Sequence, residues 1–485
     1  MTRLVVGPFN RVEGDLEVTL EVEAGRVGSA RVCSPLYRGF EQILDGKAPA
    51  DALVFVPRIC GICSVAQSAA SAQALGHAMG LSPPDNGRLA ANLVLGCENV
   101  ADHLTHFYLF FMPDFGRKEY SARPFHAATR ARFAAQSGSA SAEVLPARAQ
   151  LLHLMGLLAG KWPHSLALQP GGSTRAVLAA EKIRLFVILR EFRAFAEATL
   201  FGAPLERVAA LDSLAALEAF TDEGVDQPGD LRRFLRLARG LGLAELGRGV
   251  ARFMSYGAYP AATGHLFAAG VWDGARHPLD PADIREDTTH AWLADSAPRH
   301  PAVGLTSPLP DKEGAYTFCK APRLGGHVVE VGALARQVVD GQPLCRDLLQ
   351  RGGGRGDVRA RVVARLLEIA RVVPAMEAWA AALEPGAAFC HAGEVPDEAT
   401  GFGLVEAARG SLGHWLTASR GRLTSYQIVA PTTWNFSPRD AAGTPGPLEQ
   451  ALVGAPAAAE GEGEAAVAVQ HVVRSFDPCM VCTVH

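Results

Sequence analysis

Two stretches at opposite ends of the chain, Arg58-Ile59-Cys60-Gly61-Ile62-Cys63 and Asp477-Pro478-Cys479-Met480-Val481-Cys482-Thr483-Val484-His485, each carry a Cys-x-x-Cys pair. That spacing lets both sulfurs of a pair bind one metal or share two, and thiolates select zinc, copper(I), nickel or iron over hard cations. Zinc-ribbon pairs usually lie about 15 to 20 residues apart, whereas Cys63 and Cys479 are 416 positions apart. On spacing alone, structural zinc, a catalytic or redox metal, and reduced unligated cysteines all fit. The other five cysteines, Cys33, Cys97, Cys319, Cys345 and Cys390, are scattered and lack iron–sulfur cluster spacing. An odd total of nine is no disulfide framework and points to a reducing compartment or to metal chemistry.

The rest of the chain bounds what such a centre could serve. With 485 residues, 48% apolar and 20% charged, it can bury a sizeable core and is not a disordered chain. Forty-six basic against fifty acidic side chains leave a formal charge of −4, so there is no electrostatic case for nucleic acid or an anionic membrane. No stretch approaches the roughly 18 apolar residues a membrane span needs; the best run is Leu154 to Gly160. The N-terminus breaks at Gly7 and Pro8, which leaves no apolar core for a secretory signal. A cytoplasmic location is expected, any export depending on a partner's signal.

Leu16–Glu23 and Arg26–Cys33 alternate apolar and polar residues around Ala24-Gly25, the pattern of an antiparallel hairpin. Apolar residues recur at helical spacing over Ser64–Met79, Asn86–Met112, Ala147–Lys161, Ala176–Phe201 and Asp357–Leu383. Thr221 to Leu349 is rich in Pro and Gly and reads as mixed and loop-rich, and Ala451–Glu464 reads as a surface loop. There is no internal repeat.

The flanks of the two cysteine pairs narrow the choice. Arg58-x-Cys-Gly-x-Cys with Asp-Pro-Cys-x-x-Cys-x-x-His resembles the first and last signatures of the large subunit of nickel–iron hydrogenases. Further matches follow in order: Arg11-Val12-Glu13-Gly14, Arg38-Gly39-Phe40-Glu41, His106-Phe107-Tyr108 with Asp114, Arg409-Gly410-x-Leu412-Gly413-His414-Trp415, and Pro431-Thr432-Thr433-Trp434-Asn435. The resemblance implies a mainly α fold with a smaller β region (α+β), a long-helix bundle forming one domain over 1–485. Within it, 1–50 is expected to be β-rich, 51–220 a helical bundle, 221–356 a mixed lobe, and 357–485 C-terminal helices with the second cysteine pair.

The same resemblance implies a site that splits H2 heterolytically at a nickel–iron centre carrying one CO and two cyanides. Cys60 and Cys479 would be terminal on nickel, and Cys63 and Cys482 would bridge to iron. Arg409, Pro431 and Thr432 match the pocket around the cyanides, whose nitrogens need hydrogen-bond donors in an apolar site. Without the motif, Arg409 would read as a surface arginine in a chain that has forty. Cys479 would take the proton first and Glu13 would carry it onward, a carboxyl at an apolar wall having a raised pKa. Asp114 and Asp477 match the acidic residues around the arginine, where a buried guanidinium needs counter-charge. Glu41 and His485 match ligands of a magnesium-type ion; a hard ion suits the carboxylate better than the imidazole. Electrons would leave through a small subunit holding the iron–sulfur clusters, in a heterodimer or a dimer of heterodimers. His103 and His106, spaced i and i+3, read as core or interface histidines rather than a metal pair.

Three departures point within the family. Gln67 stands where most members have the histidine of Cys-x-x-His, so a neutral amide replaces an imidazole beside a bridging thiolate. Ile62 and Phe110 replace the smaller Val and Leu usual along the gas route, and bulk there would admit H2 more readily than O2, ordinary core packing being the plainer alternative. The chain stops at His485, either as the processed form or because it never had a tail, and the three departures resemble the H2-sensing, regulatory class, which also lacks the cleavable tail: low turnover, O2 tolerance and signalling to a histidine kinase. The rivals are an energy-conserving uptake hydrogenase with the same ligands and a non-catalytic scaffold stapled by structural zinc.

Overall fold

The computed structural model describes residues 2–223, 229–457 and 464–483. Two long helices, Asp85–Thr105 and Val358–Ala382, pack against each other in the middle of the chain's core. Both are buried over most of their surface: Leu93, Val100 and Leu104 on one and Leu366, Ile369 and Val373 on the other are fully buried, and so are polar residues such as Asp102 and Glu368, which find partners inside the core. Asp357 caps the second, its carboxylate accepting the Ala360 N–H at 2.8 Å. The helices Ala140–Ala159 and Ala179–Phe195 pack side by side and extend the bundle. The first of these starts seven residues earlier than the periodicity suggested and runs through Pro146, which forgoes one backbone hydrogen bond without ending the helix.

At the N-terminus, Thr2–Val6, Glu17–Glu23 and Arg26–Cys33 form an antiparallel sheet. Ala24 and Gly25 both have positive φ, the backbone that a two-residue hairpin with right-handed strand twist requires. The middle lobe consists of short strands and helices, including Asp230–Gly240, Phe253–Ser255, Ala333–Asp340 and Pro343–Arg351.

The C-terminal quarter differs from the helical reading. Ala399–Ala407, Gly410–Ser419 and Arg422–Val429 form a three-stranded antiparallel sheet, followed by the short helices Pro431–Asn435, Pro447–Leu452 and Glu464–Ser475. The central strand is covered on both faces, so its apolar–polar alternation is lost and the period-2 signal with it. Of the expected loop Ala451–Glu464, Ala451 and Leu452 end a helix, and 458–463 lie outside the described residues.

The helix Ser64–Ala78 lies on this sheet closely enough that a Cβ at Gly401 or Gly403 would stand 2.1 or 2.0 Å from the carbonyl oxygens of Ala74 and Ala70. Only glycine permits that approach. It brings the start of the helix, and the cysteine pair before it, against the strand that carries His414.

Candidate metal centre

The first pair sits between the short helical turn Val56–Ile59 and the helix Ser64–Ala78, with Cys63 as the residue just before the helix. The second lies in the loop that leaves Glu464–Ser475, with a single turn over Met480–Cys482. The four sulfurs lie within 4.8 Å of one another and all four residues are buried. Cys60 Sγ is 3.4 Å from Cys479 Sγ, Cys63 Sγ 3.3 Å from Cys482 Sγ, and Cys479 Sγ 3.0 Å from Cys482 Sγ, with no disulfide among them. The N–H groups of Ile62 and Cys63 point at Cys60 Sγ at 3.3 and 3.4 Å, a small cradle suited to a thiolate. Burial drives the Cys479 thiol well above its ordinary range. Four buried sulfurs this close together need a cation to balance their thiolate charge, and thiolates select a soft one, so the donor set fits nickel, iron or zinc rather than a hard ion.

Chain segments from both ends build the surroundings. The Arg11–Gly14 segment bridges to the second pair: Met480 N donates to the Glu13 carbonyl at 2.7 Å, and Glu13 pairs with Cys479 as an isolated parallel bridge. Gly14 has φ +82, and a Cβ there would meet Val481 at 2.9 Å. The half-buried Glu13 carboxyl has a raised pKa, from burial and then from the charge of Cys60, with Arg409 and Arg38 opposing. Arg38 joins the two cysteine segments, donating to the carbonyls of Ile59 and Arg58 on one side and to that of Val481, at 3.5 Å, on the other.

Arg409 occupies the tip of the hairpin between Ala399–Ala407 and Gly410–Ser419 and is 2% exposed, the opposite of a surface arginine. Its Nη2 reaches Asp477 Oδ1 at 3.2 Å and its Nε the Asp477 carbonyl at 3.1 Å. The second carboxylate on it is Asp102, with Nη1 2.8 Å from Asp102 Oδ2 and Nη2 3.0 Å from Oδ1. Burial pushes Asp102 up to about 8, while at Asp477 the Arg409 charge outweighs burial and holds the carboxyl low. Both carboxylates thus share one buried guanidinium as counter-charge, Asp102 through both of its oxygens.

Asp114, expected beside Arg409, lies in a different cluster. Its carboxylate pairs with Arg474, at 2.6 Å, and with Arg11, and its pKa is lowered because those guanidinia outweigh burial. The reason lies in helix geometry: twelve residues separate Asp102 from Asp114, and the chain passes through the wide turn His106–Phe111 between them. Asp102 follows the same helix as His103 and was legible only as part of an apolar-periodic run. His103 and His106 are buried and turn to separate partners, Glu368 at 3.2 Å and the Arg474 carbonyl at 2.7 Å.

Pro431 opens the short helix after the last strand, and Thr432 Oγ1 accepts the Cys479 N–H at 3.0 Å, which leaves the hydroxyl proton to be donated elsewhere. Both the Arg409 hairpin tip and Thr432 emerge at the same end of the sheet, since Gly413 pairs with Val429. Gln67 Nε2 lies 3.8 Å from Cys482 Sγ. Ile62 sits inside the first pair, packed partly against the core; Phe110 is half-buried in the wide turn, its carbonyl accepting from Arg11 at 2.8 Å.

Glu41 is buried and accepts the Ile428 N–H at 2.8 Å and the Thr306 hydroxyl. Lys320 Nζ lies 3.5 Å from it, 3.2 Å from Glu286 and 2.9 Å from Gln427 Oε1. Two carboxylates and a carbonyl oxygen make an oxygen-rich pocket of the kind a hard cation uses, with one ammonium already inside it. His485 lies outside the described residues.

A second carboxylate that the sequence did not single out braces the first pair. Glu98 accepts the N–H groups of Val65 and Ala66, both at 2.9 Å, and Trp162 Nε1 at 2.9 Å. Those are orphan donors of the helix that begins after Cys63, where negative charge is favoured. Burial raises its pKa to about 7.

These features define a metalloprotein whose four thiolate ligands come from both ends of one chain, enclosed by a buried arginine and its carboxylates. The sequence model of the nickel-dependent hydrogenase family matches residues 38–131 and 139–485. The chain is 30% identical to the periplasmic [NiFeSe] hydrogenase large subunit of Desulfomicrobium baculatum, over 100% of this chain and 95% of that one. It is 27% identical to the uptake hydrogenase large subunit of Rubrivivax gelatinosus, over 100% and 95%. The solved Ni-Fe-Se hydrogenase of D. vulgaris Hildenborough in its reduced state superposes with a TM-score of 0.85 at 30% identity, covering 100% of both chains. The chain belongs to the nickel-dependent hydrogenase family and is a large subunit of that enzyme class, with the mixed, mainly helical fold expected. Among the described residues no helix is long and apolar enough to cross a membrane.

Proposed function

We propose that the protein is the H2-activating subunit of a regulatory hydrogen sensor. The observation that carries the metal chemistry is the buried group of four free cysteines within 4.8 Å beside Arg409. Cys60 and Cys479 would hold nickel as terminal ligands, with Cys63 and Cys482 bridging to an iron that bears one CO and two cyanides. When bound, that centre supplies the polarisation that cleaves H2 heterolytically.

The chain's own residues do the rest. Cys479 sulfur receives the proton, and Glu13, tied by its main chain to the Cys479 loop and raised in pKa, receives it next and moves it outward. Arg409, kept in place by Asp102 and Asp477, offers fixed positive charge to the cyanides, and Thr432 offers its hydroxyl proton; Pro431 adds apolar wall. A magnesium-type ion at Glu41 and His485 would tie down the C-terminus. Electrons pass to a small subunit with iron–sulfur clusters.

The sensing role rests on Gln67, Ile62 and Phe110, and on that reading the cytoplasmic protein, a heterodimer or a dimer of heterodimers, reports H2 to a histidine kinase at low turnover. An uptake hydrogenase is the second reading, favoured by the name of the Rubrivivax gelatinosus relative. Infrared spectroscopy of the protein purified with its small subunit, alongside nickel, iron and zinc analysis, tests the centre. Bands from one CO and two cyanides with nickel present are expected; zinc alone and no such bands would leave a stapled scaffold. H2 oxidation that persists under O2 separates sensor from uptake enzyme.

A further inference from the structure

A row of side chains runs inward from the second cysteine pair. Gln67 Nε2 lies 3.8 Å from Cys482 Sγ, Gln67 Oε1 2.9 Å from His414 Nε2, and His414 Nδ1 2.9 Å from the Tyr426 hydroxyl. Gln67, His414 and Tyr426 are at most 1% exposed. We infer that His414 is a positioning residue that fixes the sense of the Gln67 amide, so that its NH2 group always faces Cys482; the inference rests on the metal-centre reading and deepens it.

The direction of each hydrogen bond follows from the chemistry at the sulfur. A metal-bound thiolate can only accept, so Gln67 turns its NH2 to it and its carbonyl away. That carbonyl can only accept, so His414 must carry its proton on Nε2. Nδ1 is then an acceptor, and the Tyr426 O–H donates to it. Every bond points toward the sulfur.

The two ends of an amide have nearly the same shape, so packing alone does not tell them apart. Without a donor behind it, Gln67 could rotate and aim its carbonyl lone pairs at a thiolate. The fold supplies that donor through register: His414 pairs with Gly403, one of the two glycines where the helix carrying Gln67 touches the sheet. Where relatives put an imidazole next to the sulfur, this chain has an amide there and an imidazole one place further in.

N–H donation withdraws electron density from the Cys482 sulfur, and its loss sends more density through the iron into the antibonding orbital of CO. The test is the infrared CO band of the loaded heterodimer. His414→Phe is expected to lower the CO stretching frequency, as is Gln67→Leu, and the double variant to show no further shift beyond Gln67→Leu. His414→Gln, whose amide can donate to Gln67, is expected to return the band to the wild-type position. Should His414→Phe fail to take up metal, His414→Leu, smaller and equally unable to donate to Gln67, carries the test with a shift in the same direction. An unmoved band in the metal-loaded His414→Phe or His414→Leu variant overturns the inference, as does a His414→Phe shift that is undiminished in the Gln67→Leu background. Absence of CO and cyanide bands from the wild type would instead overturn the metal-centre reading.

Discussion

Arg409 Nη1 stands 2.8 Å from Asp102 Oδ2, while Asp114, twelve residues further on, gives its carboxylate to Arg474 at 2.6 Å. The two aspartates are both fully buried, yet one belongs to the candidate centre and the other to the frame around it. Their substitutions should separate accordingly. Asp114→Asn strips charge from a buried cluster with Arg11 and Arg474 and is expected to cost roughly 3–5 kcal/mol of stability, with nickel per folded molecule unchanged. Asp102→Asn is expected to lower H2-dependent dye reduction by about tenfold or more, since a fixed charge at the centre loses its support. Thermal unfolding and turnover measured on both variants check this; equal profiles for the two would refute the division.

The four-cysteine cluster predicts a sharp contrast among the nine cysteines. Replacing Cys60, Cys63, Cys479 or Cys482 by serine should abolish nickel retention, because serine oxygen is a poor ligand for a soft metal. Cys390→Ser, at a half-exposed position outside the cluster, should leave nickel content unchanged. Metal analysis of the purified variants decides it, and retained nickel in any of the four would remove that residue from the ligand set.

The sensing reading predicts that bulk along the gas route protects the centre. Ile62→Val combined with Phe110→Leu should make H2 oxidation sensitive to O2 while leaving anaerobic turnover at least as fast. Activity followed during air exposure gives the answer, and undiminished tolerance in the double variant would withdraw the channel argument.

A pH effect on stability is expected away from the centre. Burial raises the Glu449 carboxyl to about 7 from an unfolded value near 4.5. The folded state therefore binds more protons than the unfolded one between those values, so stability is full below the lower value and is lost as pH rises through the upper. The shift corresponds to at most about 3 kcal/mol. Glu449 accepts from Val32 N and the Tyr316 hydroxyl through one oxygen, Oε1, which glutamine retains. Glu449→Gln should hence flatten the decline between pH 5 and 8; an identical slope in the variant would assign it to other groups.

How much of this was legible depends on the range of the signal. The N-terminal hairpin and the long helices are written in local periodicity; Ser64–Ala78 and Val358–Ala382 formed close to their expected bounds, while Asp85–Thr105 stops seven residues before Met112, where the wide turn His106–Phe111 takes over. The sheet Ala399–Val429 was not, because a strand covered on both faces loses its alternation. Asp102 and Glu98 escaped notice, and Arg38 stood out only as part of a motif with no role attached, for a related reason. Each is a common residue type whose meaning comes from a partner far along the chain: Arg409, the helix after Cys63, and the two cysteine segments respectively.

Residue type and spacing alone carry the ligand chemistry, since a Cys-x-x-Cys pair and its flanks are local and thiolate selects a soft metal wherever it is placed. They also carry the family, through motifs spread in order along the chain. Which charges gather around those ligands was decided only in three dimensions. Arg409 donates to Asp102 rather than to Asp114, and Gln67 meets His414, because helix phase and strand register set those distances, and neither is encoded in any short stretch of sequence.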